Sequence, residues 1–196
     1  MNLLLLTPQP PFPAHQGTAI RNWGILQHLA ARNTITLLTF APPGAGQPEP
    51  QLAAMCRAVE WVPAPERGLR SRLATVFSGA ADLADRLWSP QFEQALRRLL
   101  AEAQFDLVQV EGLELGRYLP TIRAAAPRTP IIYDAHNAEV TIQQRAWNSD
   151  RRSPARWPAA AYSWLQVPRL AQFEAGVCRQ ADAVTCVSTT DAALLS

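Results

Sequence analysis

Hydrophobic positions in this chain follow two rhythms. Short unbroken apolar runs alternate with longer stretches in which apolar residues recur every three or four positions. Leu3 to Leu6 is a run of the first kind, closed by Thr7 and a proline cluster, and reads as a strand buried on both faces. After a loop from Pro8 to Gly17, a helix is expected from about Thr18 to Ala31. Its Ala19, Trp23, Leu26 and Ala30 share one face, and Gly24 would permit close packing on a sheet. Thr34 to Phe40 reads as a second strand, Pro42 to Pro50 as a loop, Leu52 to Arg57 as a short helix and Val59 to Val62 as a third strand.

The second half repeats the pattern. Gly68 to Trp88 is expected to be helical with breaks. Ser89-Pro90 is a capping residue followed by proline at the first helical position, so a helix restarts there and runs to about Ala103. Asp106 to Val110 is a strand that ends at Glu111-Gly112, and Leu115 to Ala126 is a helix stopped by Pro127. Ile131 to Tyr133 is a strand leading into Asp134-Ala135-His136-Asn137, with a helix expected from Glu139 to Asn148. Pro168 is expected to open another helix, whose Leu170, Phe173, Val177 and Ala181 share a face, and Ala183 to Val187 is the last strand. Strict alternation of this kind predicts an α/β fold: a doubly wound parallel sheet, Rossmann-like, in three α/β/α layers. Ser188 to Asp191 has the form of a capping box, yet only Ala192 to Ser196 follow it. That unfinished helix suggests a single domain, 1–196, cut from a longer chain.

Composition narrows the function. Hydrophobic residues make up 48% and charged residues 17%, enough apolar content for a substantial core. A net charge of +2 is too small for a nucleic-acid binder. All 18 basic residues are arginine, which excludes a Schiff-base lysine and a P-loop lysine. Cys56, Cys178 and Cys186 form no CxxC pair and read as small buried apolar residues. His15, His28 and His136 lack metal-ligand spacing, so no metal site is expected. The N-terminus has no charged leader, and no apolar run is long enough to span a membrane. A cytoplasmic protein is therefore expected.

In open parallel sheets, ligands bind beyond the carboxyl ends of the strands. Those ends carry Thr7 with its Pro-rich loop, Glu111 with Gly112, Asp134 to Asn137, and Ser188. Gly17 stands just before a helix N-terminus, where N–H groups and the helix dipole favour an anion; a tight turn that needs glycine is the alternative. His136 could act as acid, base or hydrogen-bond donor, with Asp134 and Glu139 to orient it. The alternative is a plain helix start, with Asn137 as N-cap and Glu139 in the first turn. Glu111 could bind sugar hydroxyls or be a solvated loop acid. Between Trp147 and Trp164, aromatic residues alternate with Arg151, Arg152 and Arg156. This mixture suits an interface, a substrate lid or a peripheral contact with the inner face of a membrane; core burial of the aromatics is the simpler reading. Arg97-Arg98, and Arg70 with Arg72, read as solvated helix faces.

The ordered set of motifs resembles the N-terminal domain of GT-B glycosyltransferases of the large retaining family 4. The opening strand, the loop with Gly17 and the helix with Arg21 match its start, and Phe105 to Val108 followed by Glu111 match its middle. Tyr133-Asp134-Ala135-His136-Asn137-Ala138-Glu139 resembles its D-x-H-N-x-E signature. Phe173-Glu174, Ala181 to Val184 and Val187-Ser188 resemble its close. The family often has paired glycines in the first loop, where Gln16-Gly17 stands here. The resemblance implies one half of a GT-B pair, the half that binds a saccharide or lipid-linked acceptor, with a separate C-terminal domain for the nucleotide sugar. It implies that Gly17 and Thr18, with Arg21 near them, approach the donor phosphates, that Glu111, Asn137 and Glu139 line the same site, and that His136 lies near the reacting sugar. It further implies retention, a UDP- or GDP-linked donor, no bound metal or other cofactor, and an isolated chain that is inactive. A sugar-nucleotide epimerase of related fold and a non-catalytic flavodoxin-like binding module are the competing readings.

Overall fold

The computed structural model describes residues 1–42, 44–66 and 79–195. Six strands form one wholly parallel sheet: β1 (Asn2–Thr7), β2 (Thr34–Ala41), β3 (Ala58–Pro63), β4 (Leu107–Glu111), β5 (Ile131–Ala135) and β6 (Ala183–Cys186). Their spatial order is β3-β2-β1-β4-β5-β6. The chain winds outward from β1 to β3, then returns to the other side of β1 with β4. The order therefore reverses between β1 and β4, and that is where a crevice opens at the carboxyl edge of such sheets.

The run Leu3 to Leu6 is apolar throughout because β1 is covered on both faces. Successive side chains point to opposite sides of a strand. Leu4 and Leu6 enter a large core with Phe92, Leu96, Tyr118 and Leu170, while Leu3 and Leu5 enter a smaller one with Leu26 and Leu52. The smaller core lies under α1 (Gly17–Ala30) and α2 (Pro50–Met55). The larger lies under α3 (Asp82–Arg86), α4 (Pro90–Glu102), a 3-10 turn at Leu113–Tyr118 and α5 (Leu119–Ala125). This is the expected three-layer α/β/α fold. Ser89 caps α4 as expected, accepting a hydrogen bond from the Phe92 amide with Pro90 in the first turn.

Several local expectations are corrected. Pro168 does not open a helix; it lies inside α7 (Trp157–Gln180), a continuous helix of 24 residues. Buried positions on both sides of it, Ser163 and Gln166 before and Leu170 and Glu174 after, hold the helix through the missing N–H. Gly24 touches nothing where a Cβ would stand, so sheet packing does not require it. The close approach instead occurs at Gly116, where a Cβ would collide with Val177 of α7. The three cysteines are half-buried rather than enclosed. Arg97 and Arg98 do lie on a solvated helix face, where they pair with Glu93 and with Glu60 and Glu102 respectively. The expected helix from Gly68 falls largely outside the described residues, as do Arg70 and Arg72. The Ser188–Asp191 capping box is present: Ser188 Oγ donates to Asp191 Oδ2 at 2.6 Å and accepts from the Asp191 amide at 3.1 Å.

Candidate active site

Register brings the polar strand ends together. Glu111 is the pairing partner of Asp134, and Asp134 of Thr185, so three strands present polar residues side by side. Arg21 reaches across from the first turns of α1. Its Nε donates to Asp134 Oδ2 at 3.1 Å, and its Nη2 reaches Oδ1 and Oδ2 at 2.8 and 2.7 Å. Thr185 Oγ1 donates to Asp134 Oδ1 at 2.5 Å. Asp134 is 2% exposed, so this bidentate pair is what makes its burial tolerable.

His136 is held by a different acid from those expected. Its Nε2 lies 3.1 Å from Glu111 Oε2, and Gln109 Nε2 donates to Glu111 Oε1 at 2.6 Å. Asp134 is taken by Arg21, and Glu139 Oε1 accepts from Asn137 Nδ2 at 3.2 Å. Glu111 is 0% exposed, which overturns its reading as a solvated loop acid. Burial pushes its pKa up, the His136 contact pulls it back, and the neighbouring Asp134 charge raises it further. Gly112 makes the contact between these residues feasible. Its φ of +82° favours glycine, and a Cβ there would stand 3.4 Å from the His136 ring and 2.9 Å from Glu114.

The helix that follows, α6 (Glu139–Asp150), is not capped by Asn137. Ala138 occupies the cap position, and the acceptor comes from α7: Glu174 Oε1 takes the Glu139 amide hydrogen at 2.8 Å. A carboxylate at a helix N-terminus also meets the positive end of the dipole. Glu174 is 5% exposed, and burial raises its pKa, as burial does for Glu139. Glu174 thus fixes where α6 starts, three residues after His136. Its spacing to Glu139 gave no local signal in the sequence.

The first loop contributes differently. The N-terminus of α1 has no side-chain cap and no acid in its first turn. Gly17 is exposed, lacks the positive φ of a glycine-requiring turn, and has nothing within 4 Å of a would-be Cβ. The tight-turn reading is therefore set aside. What glycine leaves there is open space above free amide groups. Beside it, a cleft of about 430 Å³ is lined by Pro8, Phe12, Pro13, His15, Gln16 and Phe40, among others.

Glu111, Asp134 and His136 place ligand atoms within 4.8 Å of one another, a spacing a divalent ion could use. Both Asp134 oxygens already accept from Arg21, however, and both Glu111 oxygens are engaged. A metal would first have to displace the guanidinium. As it stands, the cluster is a closed hydrogen-bond network that presents one imidazole at the crevice.

Trp157 and Trp164 are 61% and 63% exposed, so the expectation that the Trp147–Trp164 aromatics fill the core fails. No helix among the described residues is long and apolar enough to cross a membrane.

No curated protein sequence matches the chain. Among solved structures, it is similar to a UGT transferase from Siraitia grosvenorii crystallised with UDP, at 11% identity and a TM-score of 0.42, covering 96% of this chain and 51% of that one. It is also similar to an α,α-trehalose-phosphate synthase (UDP-forming) from Burkholderia xenovorans crystallised with glucose-6-phosphate, at 15% identity and a TM-score of 0.46, covering 99% and 42%. The chain thus spans about half the length of these two proteins or less. The family model of the glycosyl transferase 4-like domain matches residues 16–196, from just before Gly17 through the whole polar cluster, and the chain belongs to that family.

Proposed function

We propose that this domain is the acceptor-side half of a GT-B glycosyltransferase, one that moves a glycosyl group from a UDP- or GDP-sugar to a saccharide or lipid-linked acceptor with retention. A second, C-terminal domain would hold the nucleotide. The observation that carries this reading is His136, set at the sheet's carboxyl edge and locked by a fully buried glutamate. A histidine held by an acid that solvent cannot reach is a positioned donor or acceptor, not a surface residue. With Nε2–H given to Glu111, Nδ1 is left for a substrate hydroxyl.

The other roles follow from charge. The uncapped amides of Gly17 and Thr18 suit the donor's phosphates. Arg21 is 32% exposed at its side chain and retains donor capacity beyond Asp134, so it can add to the same anion site. Asn137 and Glu139, bonded to each other, lie next to His136 in the chain and suit contacts to sugar hydroxyls. The reaction is taken to need no bound metal, because these amides and the guanidinium can meet the phosphate charge, and to run in the cytoplasm.

The test is turnover of a panel of nucleotide sugars by the full-length protein, with product anomers assigned by NMR. One donor used with retained configuration is expected, together with weak or absent binding of UDP and GDP to the isolated 196-residue chain. Sub-micromolar nucleotide binding by this chain alone would place the donor site in the wrong half. An isomerised sugar without transfer would replace the reaction with epimerisation.

A further inference from the structure

The long helix α7 overshoots the sheet it flanks. Its 24 residues extend about 36 Å, against about 17 Å for the five residues of β5. Its C-terminal end lies at the start of β5, where the Asp182 amide donates to the Ile131 carbonyl. Its Glu174 is already level with the start of α6, beyond the end of β5. Leu170 and Phe173 still pack on the core and Gln166 accepts from the Asp82 amide, so the segment from Trp157 to Leu165, roughly 14 Å long, is the part that extends past these contacts, paired with α6 as a helical hairpin.

The outer face of this hairpin is apolar. Trp157, Ala161, Trp164 and Pro168 recur at helical spacing on one stripe, and all four are exposed. Ala160, Ser163 and Gln166 form the inward face. No residue from Trp157 through Pro168 carries a charge. Beside the stripe, Trp147, Trp164, Leu165, Val167 and Pro168 border a groove of about 400 Å³. Charge returns at the ends, and it is lopsided: from Trp147 to Arg169 there are four arginines and one acid, Asp150. Arg151 lies over the Trp147 ring at 4.8 Å, and Arg152 is exposed.

We propose that the α6–α7 hairpin docks this protein on an anionic lipid surface. Tryptophans enter the headgroup boundary, while the arginines at the hairpin tip meet lipid phosphates. Amphipathic indoles and cationic flanks are what that boundary selects. The helix lies on the membrane rather than through it, because only one stripe is apolar. A protein partner would also cover the tryptophans, but it would not by itself call for the cationic tip. The inference is independent of which glycosyl group is transferred.

The experiment is co-sedimentation of the intact protein with vesicles of phosphatidylcholine alone and of an equal mixture with phosphatidylglycerol, with brominated lipid as a quencher of tryptophan fluorescence. Binding is expected to be roughly tenfold stronger on the anionic vesicles and to weaken with salt. W157A/W164A, at solvent-exposed positions, should fold normally by circular dichroism, lose roughly tenfold in partition and lose the quenching. R151Q/R152Q should bind both vesicle types alike. Wild-type protein that ignores anionic vesicles overturns the proposal, and so does a tryptophan double variant that binds as well as wild type. A change in sedimentation velocity of that variant with vesicle binding unchanged would assign the stripe to a protein contact instead.

Discussion

Two regions beyond the same edge of the sheet invert the usual distribution of side chains in opposite ways. At the ends of β4 and β5, Glu111 and Asp134 are charged residue types buried to 0% and 2% exposure. On the projecting end of α7, Trp157 and Trp164 are large apolar residues left above 60% exposure. The first region is closed: each buried carboxylate oxygen in it has a partner within the domain. The second is open, with apolar surface that nothing in the chain covers among the described residues. A closed polar cluster holds geometry for chemistry, whereas an open apolar stripe calls for an outside surface. On the two proposals made above, the same edge would serve both reaction and placement.

The sharpest way to break the closed region is Asp134→Ala. It leaves the Arg21 guanidinium half-buried and unmatched and removes the acceptor of Thr185. Because Arg21 can partly rehydrate, the loss should be roughly 2–4 kcal/mol, below that of a fully enclosed pair. Urea denaturation checks it, and a loss under about 0.5 kcal/mol would mean that the cluster is not closed. Matched tryptophan-to-alanine changes on α7 give the contrast, since they should barely alter stability.

A smaller effect concerns Glu111 and its proton. Burial first, and Asp134 next, raise its folded-state pKa above the ordinary 4.5, against the pull of His136. An acid with a raised folded pKa stabilises the fold below its unfolded value, and that contribution is lost as pH rises through the folded one. The wild type should therefore lose melting temperature relative to Glu111→Gln as pH rises from about 4.5 toward neutrality. Thermal melts across that range decide it. A difference independent of pH would show that the glutamate is not desolvated as described.

How much of this was legible follows from what each feature depends on. The three-layer fold was readable because Leu3 to Leu6 reads as a strand covered on both sides and because strands and helical stretches alternate along the chain. His136 stood out because a titratable residue directly after a buried strand has few structural reasons to be there. Its partner did not stand out. Asp134 and Glu139 are neighbours in sequence, but Glu111, 25 positions away, became the partner through the β4–β5 register and the glycine at 112. Glu174 was hidden for the same reason, since its cap acts across 35 positions. The aromatics of Trp147 to Trp164 were misread because a buried and an exposed helix face can share composition. What decides between them is that α7 is longer than the strand it returns to, and Pro168 had suggested a shorter helix.

The central claim is that the buried cluster exists to hold His136 at the reacting sugar. It is tested most directly by the transfer rate of full-length His136→Ala, measured with the preferred donor beside wild type at equal folded concentration. The account predicts a rate lower by roughly 10²-fold or more, with melting temperature nearly unchanged. Unchanged turnover would contradict it and leave the cluster as an element of stability alone.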